Sequence, residues 1–142
     1  SWTNPAKPIG GRVVRGLTEA LSIYVVDDDD AVRDSLAVLL EPEGFTVRQF
    51  SSVDSFLEVL EEDPPGDGGR ACLLLDLHMP GKGGQELLDI LGRRESRLPV
   101  VVMTGNTDEK TRAQALLKGA VAFLEKPVDA DRLIDTLRDA LG

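Results

Sequence analysis

Ala71-Cys72-Leu73-Leu74-Leu75-Asp76 is an unbroken apolar run that ends on a carboxylate. A strand with no alternating polar positions is buried on both faces, as the central strands of parallel sheets are. Three other runs share the form. Ile23-Tyr24-Val25-Val26 leads into Asp27-Asp28, Val100-Val101-Val102-Met103 into Thr104, and Val121-Ala122-Phe123-Leu124 into Glu125 and Lys126. In a parallel α/β sheet the strand ends share one rim, and ligands bind there. Carboxylates, a hydroxyl and an ammonium gathered on that rim predict a site for a divalent cation and a phosphoryl group.

The segments between the runs read as helices. Val32, Leu36, Leu39 and Leu40 recur with helical spacing, and Pro42 and Gly44 stop the pattern. Phe45 to Phe50 mix apolar and polar residues, as an edge strand does. Ser51-Ser52-Val53-Asp54 predicts a capping box opening the second helix, whose buried stripe is Val53, Phe56, Leu57 and Leu60. The breaker-rich stretch Asp63 to Gly69 reads as a surface loop within one domain. Leu87, Leu88 and Leu91 mark a third helix. A fourth starts near Asp108 and Glu109 and ends at Gly119. Leu133, Ile134, Leu137 and Leu141 mark a fifth.

Five strands alternating with five helices predict a doubly wound α/β parallel sheet with right-handed crossovers. The flavodoxin-like order 2-1-3-4-5 sets the first and third strands side by side, which makes Asp27, Asp28 and Asp76 neighbours. Residues 1–20, which include Pro5, Pro8, Gly10 and Gly11, read as a flexible extension; residues 21–142 read as the domain.

Bulk properties narrow the function. A chain of 142 residues suits one domain, and 42% hydrophobic with 29% charged residues is a globular balance. The net charge of −9 argues against direct nucleic-acid binding, which needs a basic surface. Cys72 is the only cysteine, so no internal disulfide forms, and it reads as a buried structural thiol. No stretch reaches the ~18 apolar residues of a membrane span. No signal peptide is evident, and a cytoplasmic setting is expected.

Clustered carboxylates repel one another until a cation arrives. Mg²⁺ takes oxygen ligands and keeps waters for one or two carboxylates plus a phosphate. The expected ligands are Asp28 and Asp76, with Asp27 bound directly or through water and the main-chain carbonyl of His78 completing the set. An EF-hand fails, because Asp27-Asp28-Asp29-Asp30 opens no twelve-residue loop with a central glycine and final glutamate. Asp29 or Asp30 is expected to cap the first helix. Asp76 is the candidate nucleophile, since carboxylates form acyl phosphates. Lys126 offers a second positive charge, and a cis bond to Pro127 would aim it at the rim. Taken singly, Lys126 is a surface lysine and Thr104 a strand-end hydroxyl; their shared edge is what makes them persuasive. Gly81-Lys82-Gly83-Gly84 lacks P-loop spacing.

With these motifs in order, the chain resembles a response-regulator receiver domain of two-component signalling, a CheY-like fold. The resemblance rests on Val25-Val26-Asp27-Asp28, Leu75-Asp76-Leu77-His78-Met79-Pro80, Met103-Thr104-Gly105 and Phe123-Leu124-Glu125-Lys126-Pro127. Thr104-Gly105, Lys118-Gly119-Ala120 and Glu125-Lys126-Pro127 make it most similar to the FixJ-like group. The resemblance implies that a sensor histidine kinase phosphorylates Asp76 in the presence of Mg²⁺. Thr104 would be the switch hydroxyl, Lys126 the phosphate-contacting lysine and Phe123 the switch aromatic. It also implies dimerisation or output through the face of the fourth helix, fifth strand and fifth helix. His78 and Asn106 match positions that modulate phosphate lifetime. Lys82, Val128 and the 63–69 loop depart from the common pattern.

FixJ-like proteins usually continue into a helix-turn-helix DNA-binding domain. No such segment follows Gly142, so the chain reads either as a single-domain receiver or, preferably, as part of a longer transcriptional regulator. Two rivals stand beside this reading. A Mg²⁺-dependent phosphatase of the haloacid dehalogenase kind would want an Asp two residues after Asp76, where His78 stands, and a cap domain. A receiver-like module working without phosphate would not need the full set of site residues. The reading is therefore of a phosphoprotein and not an enzyme, apart from self-phosphorylation and self-dephosphorylation at Asp76.

Overall fold

The computed structural model describes residues 20–62, 69–79, 81, 83–105 and 108–142. Trp2, Lys82, Asn106 and most of the 63–69 loop lie outside them. The elements run β1 (Ala20–Val26), α1 (Asp30–Leu40), a 3₁₀ turn (Glu41–Glu43), β2 (Thr46–Phe50), α2 (Val53–Glu62), β3 (Gly69–Asp76), α3 (Gly84–Arg93), β4 (Val100–Thr104), α4 (Glu109–Leu117), β5 (Ala122–Glu125) and α5 (Ala130–Leu141). All four strand pairings are parallel, and the sheet order is β2-β1-β3-β4-β5, as expected from the alternation.

Strand periodicity divides the core. Tyr24, Val26, Leu73, Leu75, Val100 and Val102 face one layer, where Phe56 of α2, Leu87, Leu88 and Leu91 of α3 and Ala115 of α4 cover them. Ile23, Val25, Cys72, Leu74, Val101 and Met103 face the other, under Leu36 and Leu40 of α1 and Leu133, Ile134 and Leu137 of α5. The run from Cys72 to Leu75 is apolar throughout because each successive residue meets a different helical layer. Burial pushes the Cys72 thiol up to about 12, consistent with an inert packing residue.

Local boundaries depart from the sequence reading in small ways. β1 starts at Ala20 and β3 takes in Gly69. Phe45 is buried ahead of β2, its N–H bonded to the Leu40 carbonyl at 3.4 Å after Gly44 turns the chain at φ 98°. Val121 lies outside β5 and is 56% exposed. At α2 the capping box is half formed. Ser52 Oγ accepts from the Ser55 N–H at 3.1 Å, but the third residue is a serine and its hydroxyl donates to the Ser52 carbonyl instead.

Candidate functional site

The register places the site at the carboxyl edge of the three middle strands. Val26 pairs with both Phe50 and Leu75, so Asp27 and Asp76 each stand one step further along neighbouring strands. Asp76 is level with Met103, and Thr104 with Glu125. Asp29 ends the turn out of β1 by capping α1, accepting from the Ala31 and Val32 N–H groups at 2.9 and 3.3 Å. That cap confines Asp27 and Asp28 to a short crossing above the rim.

Asp27 is fully buried, Asp76 is 4% exposed and Asp28 is exposed. One carboxylate oxygen from each lies within 4.8 Å of the other two. The Lys126 ammonium reaches Asp27 Oδ2 at 2.9 Å and Asp76 Oδ2 at 3.3 Å. Its backbone is held by an N–H donation to the Thr104 carbonyl at 2.8 Å, and the Lys126–Pro127 peptide is cis. The remaining oxygen of Asp76 accepts from the His78 N–H at 3.0 Å, and that of Asp27 from the Asp29 N–H at 2.9 Å.

Burial holds the Asp76 carboxyl above its ordinary range. The His78 N–H and the Lys126 charge pull the other way, while Asp27 adds repulsion. Burial on its own would lower Lys126, but its hydrogen bond and charge pairing with Asp27, then Asp76, outweigh it and raise the ammonium. The donor set fits a hard dication: it is all oxygen, it spans a small volume, and among the described residues three carboxylates gather beside one ammonium, that of Lys126.

Thr104 is fully buried at the end of β4. By strand alternation it follows Val100 and Val102 onto the α2–α4 layer, as Phe123 does in packing partly buried against that core. Asp27, Asp76 and Lys126 instead follow Val25, Leu74 and Leu124, which face the α1–α5 layer. The structure thus brings together the three carboxylates and the lysine, and sets Thr104 and Phe123 on the adjoining face of the same edge. The His78 main-chain N–H is turned to Asp76, and its side chain is exposed.

Two residues escaped the sequence reading. Arg33 of α1 donates from Nη1 to the Asp27 carbonyl at 2.6 Å and also pairs with Asp30. A cation in the first turn of a helix, against the helix dipole, was the signal for it. Gly84 opens α3 hard against the main chain of Asp76 and Leu77. Among the described residues no helix is long and apolar enough to cross a membrane.

A parallel five-stranded sheet of this order, with an acidic trio and a lysine at its carboxyl edge, defines a CheY-like, doubly wound α/β domain. The chain belongs to the response regulator receiver domain family, whose pattern matches residues 23–138. It is 44% identical over 126 residues to the transcriptional regulatory protein FixJ of Azorhizobium caulinodans, covering 89% of this chain and 57% of that protein. Full-length FixJ from B. japonicum superposes with a TM-score of 0.74 at 41% identity, over 84% of this chain and 56% of that one. A structure of FixJ-N superposes at 0.75 with 34% identity, over 86% and 94%. The chain therefore spans little more than half of either full-length FixJ protein.

Proposed function

We propose that this chain accepts a phosphoryl group on Asp76 from the phosphohistidine of a sensor histidine kinase, and that Mg²⁺ is required. The convergence of Asp27, Asp28, Asp76 and Lys126 supports it above all else. An Asp76 carboxylate oxygen would attack phosphorus in line as the P–N bond to the donor imidazole breaks. The products are an acyl phosphate and a histidine that regains its proton from solvent.

Asp27, Asp28, Asp76 and the His78 carbonyl would hold the cation. When bound it supplies charge neutralisation for the phosphoryl oxygens. Lys126, already beside the acceptor oxygen, would move its ammonium onto the new phosphoryl group. Thr104 would then turn its hydroxyl toward the phosphate, and Phe123, on the same layer, would repack behind it. The surface so altered is that of α4, β5 and α5. Its resting form leaves Leu117 87% and Val121 56% exposed, with Ala115 as the buried residue of α4. A weakly anchored helix beside exposed apolar residues suits dimerisation or contact with an output domain. Transcription regulation in the cytoplasm is the output proposed, by similarity to proteins named as transcriptional regulators.

The test is mass spectrometry and sizing after acetyl phosphate treatment. Wild type with Mg²⁺ should gain one phosphoryl group on the Asp76 peptide, and Asp76→Asn or wild type in EDTA should not. Labelling that persists in Asp76→Asn overturns the assignment.

A further inference from the structure

Arg33 sits where two rules oppose it. Its guanidinium lies near the positive end of the α1 dipole, and its side chain is only 11% exposed. The Asp30 carboxylate it pairs with is 85% exposed, and such a pair contributes little in water. The bond to the Asp27 carbonyl is what accounts for the burial. Asp27 stands one residue past the last registered pair between β1 and β3, Val26 with Leu75. Its N–H still donates to the Phe50 carbonyl at 3.1 Å. Its own carbonyl, in a fully buried residue, takes Arg33 Nη1 at 2.6 Å in place of a strand partner.

All four polar groups of Asp27 are then held: N–H by Phe50, carbonyl by Arg33, Oδ1 by Asp29 and Oδ2 by Lys126. The carbonyl held by Arg33 belongs to the rigid peptide plane that joins Asp27 to Asp28. Fixing its direction fixes where the Asp28 backbone departs.

We propose that Arg33 is a positioning residue of the acidic site, which by gripping the Asp27 carbonyl sets where the exposed Asp28 carboxylate stands relative to Asp27 and Asp76. The inference rests on the phosphoacceptor reading in taking Mg²⁺ as the cation.

The experiment is calorimetric titration of the unphosphorylated chain with MgCl₂, with circular dichroism to verify folding. Arg33→Met keeps the apolar stem and loses the donors, and should weaken Mg²⁺ binding about tenfold, the lower end for groups that orient metal ligands. At saturating Mg²⁺ its labelling by acetyl phosphate should return close to wild type, so the loss is in affinity and not in maximal rate. Arg33→Lys, able to reach one acceptor, should fall between. Asp30→Asn leaves the carbonyl bond and should stay within about twofold of wild type. A folded Arg33→Met that binds Mg²⁺ as wild type does overturns the inference, as does an Asp30→Asn that loses as much as the Arg33 variants. Should Arg33→Met not fold, Arg33→Lys and Asp30→Asn decide by the same ordering. A wild type that neither binds Mg²⁺ nor labels Asp76 fails the phosphoacceptor reading itself, and the Arg33 inference falls with it.

Discussion

Replacing Gly84 with alanine measures how closely α3 is docked against the end of β3. A Cβ at that position would stand 2.7 Å from the Asp76 main-chain oxygen, 2.8 Å from Leu77 Cα and 3.0 Å from Leu77 Cδ2. Ordinary contact begins near 3.4 Å, so the neighbours must retreat by about 0.4–0.7 Å. Two of the three obstacles are main chain at the end of the central strand, where the buried Leu75, Asp76 and Leu77 leave little room to yield. Overpacking of this kind costs about 1–3 kcal/mol, and the unyielding backbone argues for the upper end. At about 4 °C per kcal/mol for a domain of this size, the melting temperature should drop roughly 10 °C. Gly92 in the same helix is the internal control, because a Cβ there meets nothing within 4 Å. Gly92→Ala should raise stability by up to about 1 kcal/mol through helix propensity alone. Thermal melts followed by circular dichroism compare the two. Acetyl phosphate labelling of Gly84→Ala should also slow, because the displaced carbonyl belongs to Asp76. If Gly84→Ala melts within 2 °C of wild type, or both alanines shift the same way, the docking argument is wrong.

Two further variants probe the electrostatics. Because burial raises the Asp76 carboxyl, the folded chain holds that proton more tightly than the unfolded one, and stability falls as pH rises past the ordinary value of 3.8. Asp76→Asn removes this cost, so it should melt above wild type at neutral pH with the gap closing toward acid; a wild type that is the more stable at neutral pH would contradict this. Lys126→Met strips the ammonium from the fully buried Asp27 and should cost about 2–3 kcal/mol in urea unfolding, less than a wholly buried pair because Lys126 is 24% exposed. Its folded proton affinity is raised, so its contribution is complete below the ordinary value of 10.5 and fades as pH climbs through the folded value. A wild-type advantage unchanged from neutral to strongly alkaline pH would refute the pairing.

Legibility of this chain in its sequence follows the range of the interaction involved. The strands were readable because a doubly covered strand must be apolar at every position, and Cys72 to Leu75 could be nothing else. Asp27 and Asp76 were readable because each follows such a run directly, and Lys126 because it lies just past the end of β5, so topology carried all three to one edge. α4 carried no apolar stripe to read. It buries Ala115 and turns Leu117 outward, so its place was inferred from the Asp108 cap and Gly119, which do mark its ends. Gly84 was hidden among Gly81, Gly83 and Gly84. Gly81 needs its φ of 75° and Gly83 has room, while Gly84 alone of the three is pressed by backbone, a distinction made by distances across the fold. Arg33 was hidden for a related reason: its acceptor is a carbonyl, which every residue has and no pattern marks.

The acidic edge also shows why the stabilising and functional demands on this fold diverge. A well-packed apolar cluster would hold the ends of β1 and β3 together at least as well as a buried Asp27–Lys126–Asp76 trio, since desolvating those charges offsets most of their attraction. What apolar packing would lack is a response to added charge. In the trio, one ammonium is shared between two carboxylates at 2.9 and 3.3 Å, so a change in the charge of either redistributes its allegiance without disturbing the core beneath. The anchoring is uneven in the same sense. Asp27 is held at every polar group, Asp76 at its two oxygens, and Asp28 is left at the exposed mouth. A gradient from buried to exposed across three adjacent carboxylates suits the proposed role, in which the site stays in place while a cation and a phosphoryl group come and go.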